Sequence, residues 1–176
     1  GGAYLPIIEA LKDSIDMMNV QLYNTGTQLG LDGKEYAQST ADFVVAMTEA
    51  VIEGFTAVGG VGTYTGLPAS KVGVGLPGCN GSGYVSPDDL ASAMKYLLGK
   101  GPKPGNYTLR KAGGYPELRG MMTWSINSDK GCTPSYGYVN LFKQLFTDAP
   151  YLEISNATDI DISKEDGKEI NVMVFK

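Results

Sequence analysis

The sequence predicts an α/β fold in which parallel strands are joined by helical crossovers. Three observations point there. Apolar segments with helix spacing alternate with short apolar strands, in the order α-β-α-β-α-β-α along most of the chain. No tight-turn dipeptide joins consecutive strands, so each crossover is long enough to be helical, as βαβ units require. The 24 glycines and 9 prolines among 176 residues suit a loop-rich α/β scaffold better than a helical bundle. Three parallel strands are too few to close a barrel of eight. The chain is therefore a small open sheet or a piece of a (β/α)8 barrel.

The elements follow in order. Tyr4, Ile8, Leu11 and Ile15 share one helical face, with Pro6 tolerable in the first turn, so residues 3–15 read as a helix. Met17 to Asn24 reads as a short buried strand with polar residues at its far end. Ser39 with Asp42 three residues on is a capping-box pattern opening a helix to about Phe55. Val58 to Gly62 is a loop. Lys71 to Leu76 alternates Val72, Val74 and Leu76 with Gly73 and Gly75, a strand whose second face permits close approach. Ser86-Pro87-Asp88-Asp89 supplies an N-cap, a proline at the first helical position and acids in the first turn, and Gly99 closes that helix. Met121 to Ile126 is a third strand, and Tyr138, Leu141, Phe142 and Leu145 mark a last helix.

After Pro150 the rhythm changes to period two. Ile160 and Ile162, then Ile170, Val172 and Val174, flank Asp166-Gly167. A three-residue loop, Glu165-Asp166-Gly167, pairs Ile162 with Ile170 on one face, whereas a two-residue loop would set apolar residues against polar ones. A lone hairpin is not stable, so residues 150–176 read as the start of a separate β domain or as packed on the α/β part.

Composition excludes several activities. With 14 Lys and Arg against 19 Asp and Glu, a net charge of −5, and no basic cluster, neither nucleic acid nor anionic lipid is expected as a partner. The longer apolar stretches are interrupted by Asp42, Glu49 and Glu53, so no membrane span is expected. The opening Gly1-Gly2-Ala3 has neither an initiator Met nor a basic segment, which suggests the interior of a longer sequence rather than a signal peptide. The absence of histidine removes Ser-His-Asp and Cys-His relays and HExxH zinc chemistry. No metal site and no cofactor are expected. Chemistry here must run on carboxylates, Tyr, Lys or the substrate itself.

Some motifs fail their own context. Gly73-Val74-Gly75-Leu76-Pro77-Gly78 matches GxGxxG, but a dinucleotide turn needs its last glycines to open a helix, and the next cap is only at Ser86. The sequons at Asn80, Asn106 and Asn156 are short patterns to which we assign no function. Gln21-Leu22-Tyr23-Asn24 is more specific. It sets amides and a phenol at the C-terminal end of a parallel strand, and Trp124, the only tryptophan, lies at the same end of another. Core aromatics with polar tips would look the same in isolation. Amides and hydroxyls around an aromatic face, with no histidine, instead suit a pyranose ring.

Tyr4-Leu5-Pro6-Ile7-Ile8, Val20-Gln21-Leu22-Tyr23-Asn24, Lys71-Val72-Gly73-Val74-Gly75-Leu76-Pro77 and Tyr115-Pro116-Glu117-Leu118-Arg119-Gly120-Met121-Met122-Thr123-Trp124-Ser125-Ile126-Asn127 occur in that order. Together they resemble the C-terminal half of bacterial family 18 glycoside hydrolases, the chitinases, over roughly residues 1–147. The resemblance implies that residues 1–149 are the last three strands and helices of a TIM barrel, and that residues 150–176 begin a β-rich accessory domain. It implies hydrolysis of β-1,4-linked N-acetylglucosamine polymers, in which the substrate's own acetamido oxygen attacks the anomeric carbon. By the same resemblance Tyr23 would hold that carbonyl as the catalytic residue, Gln21 and Asn24 would fix the −1 sugar, and Trp124 would form its floor.

Two departures are plain. The family's DxxDxDxE acid motif is absent from these residues, so the general-acid Glu is expected outside the segment. Where many relatives carry a second aromatic after Ser125-Ile126-Asn127, this chain has Ser128. Expected partners are chitin or chito-oligosaccharides, and the N-terminal half of the barrel or a second copy. Other readings are an endo-β-N-acetylglucosaminidase, or a non-catalytic chitin-binding lectin or inactive fragment. Cys79 follows the second strand and Cys132 the third, at one end of the sheet. Strands about 4.8 Å apart would allow the ~4.4–6.8 Å Cα separation of a disulfide. The alternative is two unrelated thiols. A bridge would fit a secreted, oxidising setting.

Overall fold

The computed structural model describes residues 4–146 apart from 58, 60 and 61. In chain order the first elements are α1 (Leu5–Leu11), β1 (Met18–Gln21), β2 (Gln28–Leu29), β3 (Glu35–Tyr36) and α2 (Ala41–Glu53). After these come β4 (Phe55–Thr56), β5 (Thr63–Tyr64), β6 (Val72–Pro77), α3 (Pro87–Leu97), β7 (Gly120–Trp124), α4 (Ile126–Gly131) and α5 (Gly137–Leu145). Strands β1, β6 and β7 form a parallel sheet with β6 in the middle. The hairpin expected over residues 150–176 lies outside the described residues.

The central strand is buried along its whole length, as a strand covered on both faces must be. Its glycines explain how it fits. A Cβ on Gly75 would stand 2.8 Å from the Val20 carbonyl oxygen and 3.0 Å from Met122, so only a bare Cα admits both neighbours. The register pairs Gln21 with Gly75 and Pro77 with Trp124, which brings the C-terminal ends of all three strands to one side.

On the sheet lies a helical layer. α2 buries Phe43, Val44, Val45 and Ala46, and α3 buries Leu90, Ala93, Met94 and Leu97. Each large side chain of this layer contributes roughly 1.5–3 kcal/mol of transfer free energy. Ser86 caps α3 by accepting from the Asp89 amide at 3.1 Å. At the last helix, the buried Asp129 carboxylate accepts from the Tyr138 and Val139 amides, each at 3.1 Å, which fixes where α5 begins.

The elements depart from the sequence reading in particular places. Thr40, not Ser39, caps α2 by accepting from the Phe43 amide at 3.2 Å, because Ser39 is left-handed at φ 68°. Asp42 is not part of a capping box; its carboxylate takes the Asn106 and Tyr107 amides at 2.8 and 2.9 Å. The helix stops at Glu53 rather than Phe55, and β4 and β5 pair across the expected loop. A second two-residue ladder, β2 with β3, fills the β1–α2 connection. The third strand ends at Trp124, since Ser125 caps α4 instead of extending the strand. The first helix is shorter than expected and buries none of its residues: Ile7 and Leu11 are exposed, as is Tyr4 just before it.

A buried carboxylate organises the lower helical face. Glu49 is fully buried and accepts from the Tyr107 hydroxyl at 2.5 Å, the Tyr115 hydroxyl at 2.8 Å and the Arg110 amide at 2.8 Å. Burial first, and then the carboxylates, Glu49 beside Tyr107 and Glu53 together with Glu49 beside Tyr115, push both phenols well above the ordinary tyrosine range. Facing carboxylate oxygens that can only accept, both hydroxyls are the donors.

Glu9 ties α1 to β5. Its carboxylate accepts from Lys12 at 2.8 Å and from the Thr65 amide and hydroxyl at 2.9 and 2.7 Å. The Lys12 contact foremost, then those of Thr65, lower its carboxyl from 4.5 to about 2. Because the folded value lies below the ordinary one, the tether is complete above the ordinary carboxylate range and is lost as pH falls through about 2. The Thr65 amide resonance, followed by NMR in an acid titration, is expected to move with a midpoint near 2. A midpoint in the ordinary carboxylate range would contradict the tether.

Candidate active site

At the C-terminal edge of the parallel sheet, three connections meet. The chain leaving β1 runs through Leu22, which is buried and donates its amide to the Gly75 carbonyl at 2.9 Å. That anchor leaves Tyr23 half-buried and Asn24 exposed beyond it. Asn24 is left-handed at φ 56°, a conformation asparagine tolerates better than most residues. Its amide donates to the Ser82 carbonyl at 3.0 Å, tying the β1 connection to the β6 connection. Gly83 makes the approach possible: at φ 105°, a side chain there would stand 2.7 Å from the Tyr23 Cα.

The β6 and β7 connections are joined more tightly still. The Gly78 amide donates to the Trp124 carbonyl at 3.0 Å, and Gly78 sits against Ser128, where a Cβ would collide. One residue further on, Cys79 is bonded to Cys132, with Cα atoms 5.7 Å apart. The Trp124–Ser125 peptide is cis.

Between these connections lies a cleft of about 250 Å³, walled by Tyr23, Asn24, Pro77, Ser82, Trp124 and Ser128 among others. Trp124 is 69% exposed. A large aromatic surface left to solvent, beside a phenol, an amide and hydroxyls, can stack on an apolar ring face while the polar groups take its hydroxyls or amides. Of the four residues singled out in the sequence, the cleft takes in Tyr23, Asn24 and Trp124. Gln21 is not among its walls; its side-chain amide donates back to the Tyr23 carbonyl at 3.0 Å. Ser82 and Ser128 join the site without having been singled out for it, Ser82 as the last residue of a sequon and Ser128 only as the place of a missing aromatic.

Among the described residues, no group of three or more His, Cys, Asp or Glu side chains could hold a metal ion. No described helix is long and apolar enough to cross a membrane. No protein-family model matches the chain. Individual proteins do. Over 132 residues it is 46% identical to Chitinase Chi52 of Paenibacillus xylanexedens, covering 73% of this chain and 25% of that protein. Chitinase D of Niallia circulans is 45% identical over the same shares. The fold matches a family GH18 chitinase from Chromobacterium violaceum with a TM-score of 0.71 and 32% identity, covering 83% of this chain and 39% of that one.

The chain is related to the family 18 chitinases. It spans about a quarter of the length of the curated relatives it matches first. What this chitinase-like chain contributes of its own is the cleft, whose walls come from the connections after β1, β6 and β7 and from the ends of two of those strands.

Proposed function

We propose that this chain belongs to a chitin-hydrolysing glycoside hydrolase and that its cleft is the −1 subsite. The exposed indole of Trp124, sharing one cleft with Tyr23 and Asn24 at the C-terminal edge of a parallel sheet, carries the proposal. In this reading β1, β6 and β7 are the last three strands of a (β/α)8 barrel, whose sites lie at that edge. The exposed Tyr4 before α1, Ile7 and Leu11 on it, and the open edge of β1 would be covered by the rest of the barrel. The Cys79–Cys132 bridge supports a secreted setting.

The chemistry follows from the residues. An N-acetylglucosamine ring would lie with its apolar face on the indole. The Tyr23 hydroxyl would donate to the acetamido carbonyl, holding its oxygen against the anomeric carbon. That oxygen attacks, the glycosidic bond breaks, and a Glu outside these 176 residues protonates the departing oxygen. The positive charge rests on an oxazolinium ring, which water then opens with retention of configuration. Asn24 would take a ring hydroxyl, and Gln21 would brace the Tyr23 carbonyl from behind.

The acetamido group is what distinguishes the substrate. Titration calorimetry with tetra-N-acetylchitotetraose (chitotetraose below) and cellotetraose should show at least about tenfold preference for the former, the worth of one good hydrogen bond in a partly dry site. The segment alone should bind without turnover, since general-acid catalysis typically contributes ~10²–10⁴-fold. Equal affinity for the two oligosaccharides would overturn the reading.

A further inference from the structure

Gln38 lies on the linker between β3 and α2, outside the cleft walls, yet its side chain touches two of the three connections that build them. Its Oε1 accepts from the Thr25 amide at 3.2 Å and the Gly26 amide at 3.1 Å, and its Nε2 donates to the Ser82 hydroxyl at 2.8 Å. Two backbone donors on one side fix which end of the amide is oxygen. The residues whose amides it holds directly follow Asn24, whose backbone is left-handed. Ser82 is the residue whose carbonyl receives the Asn24 amide. We propose that Gln38 is a positioning residue, a clamp that sets Tyr23 and Asn24 against Ser82 and so fixes one wall of the sugar cleft.

The clamp rests on the functional reading only for what the cleft binds, so its test has two independent readouts. The first is hydrogen exchange of the Thr25 and Gly26 amides by NMR in the chain as it stands. The second is chitotetraose affinity, followed through the fluorescence of Trp124, the only tryptophan. Gln38→Ala removes all three contacts, and Gln38→Asn is one methylene too short to span them. Both should speed exchange at the two amides about tenfold and weaken binding by a similar factor, the worth of one to two hydrogen bonds. Gln38→Glu keeps both acceptor contacts, and the Ser82 hydroxyl can turn to donate to it. It should therefore retain protection and affinity within about twofold.

Rescue by Glu but not by Asn is a pattern that general destabilisation would not give. Thermal unfolding of all three variants identifies any that has lost its fold. Unchanged exchange at Thr25 and Gly26 in Gln38→Ala would overturn the clamp whether or not sugar binds. Fast exchange with unchanged affinity would overturn its part in binding. If the unaltered chain binds no chito-oligosaccharide, the functional reading fails, and the exchange data still decide the clamp.

Discussion

Replacing Cys79 and Cys132 with serine is expected to lower the unfolding free energy by about 4 kcal/mol. The bond spans a sequence separation of 53, and closing a loop of that length removes about this much chain entropy from the unfolded state. Its native surroundings add to the case. Gly78 already meets Trp124 and Ser128 one residue before the bridge, so the folded protein holds the two ends together with or without the bond. The unfolded chain does not. Urea denaturation with and without reductant measures it. At a slope of about 1–3 kcal/mol per M, the midpoint should fall by about 1.3 M or more. A shift worth less than about 1 kcal/mol would mean that the unfolded state is already constrained, or that the bond strains the fold.

Trp124→Ala is expected to cost roughly 2–4 kcal/mol of oligosaccharide affinity, some 30-fold or more, because single aromatic anchors dominate small binding sites. Its effect on stability should be slight. Trp124 is 69% exposed, so truncation removes little area that folding had buried. This asymmetry separates a binding residue from a core one. Trp124→Tyr, which keeps an aromatic face, should recover much of the loss. Calorimetry with chitotetraose and thermal unfolding of each variant measure both quantities. A large stability loss with affinity within threefold would return Trp124 to the class of packing residues.

The sequence shows what lies close along the chain and hides what lies far apart. The α3 boundary was legible because Ser86-Pro87-Asp88-Asp89 caps, starts and polarises a helix within four residues. At α2 the same reasoning slipped by one residue. Ser39 and Thr40 are both good caps, and only the tertiary demand on Asp42 from the Asn106 and Tyr107 amides shows which is used. Glu49 looked like an interruption of an apolar stretch. Its partners Tyr107 and Tyr115 are 58 and 66 residues away, so the reason a carboxylate is fully buried there is not local.

The short ladders β2–β3 and β4–β5 have two residues per strand, too few for any alternation to register. Strand β7 stops at Trp124 because Ser125 turns to cap α4, a choice that apolar Ile126 concealed. At the site, Tyr23, Asn24 and Trp124 were legible because parallel strands deliver their C-terminal residues to one edge. Gln38 was not, since a lone amide on a linker carries no pattern.

The central claim is that this cleft holds an N-acetylglucosamine residue by ring face and acetamido group together. A crystal structure of the chain with tri-N-acetylchitotriose tests it most directly. The account predicts one pyranose face packed on the Trp124 indole, with its acetamido carbonyl oxygen within hydrogen-bond distance of the Tyr23 hydroxyl. A sugar seated away from Trp124, or one stacked there with its acetamido group turned to solvent, would contradict it.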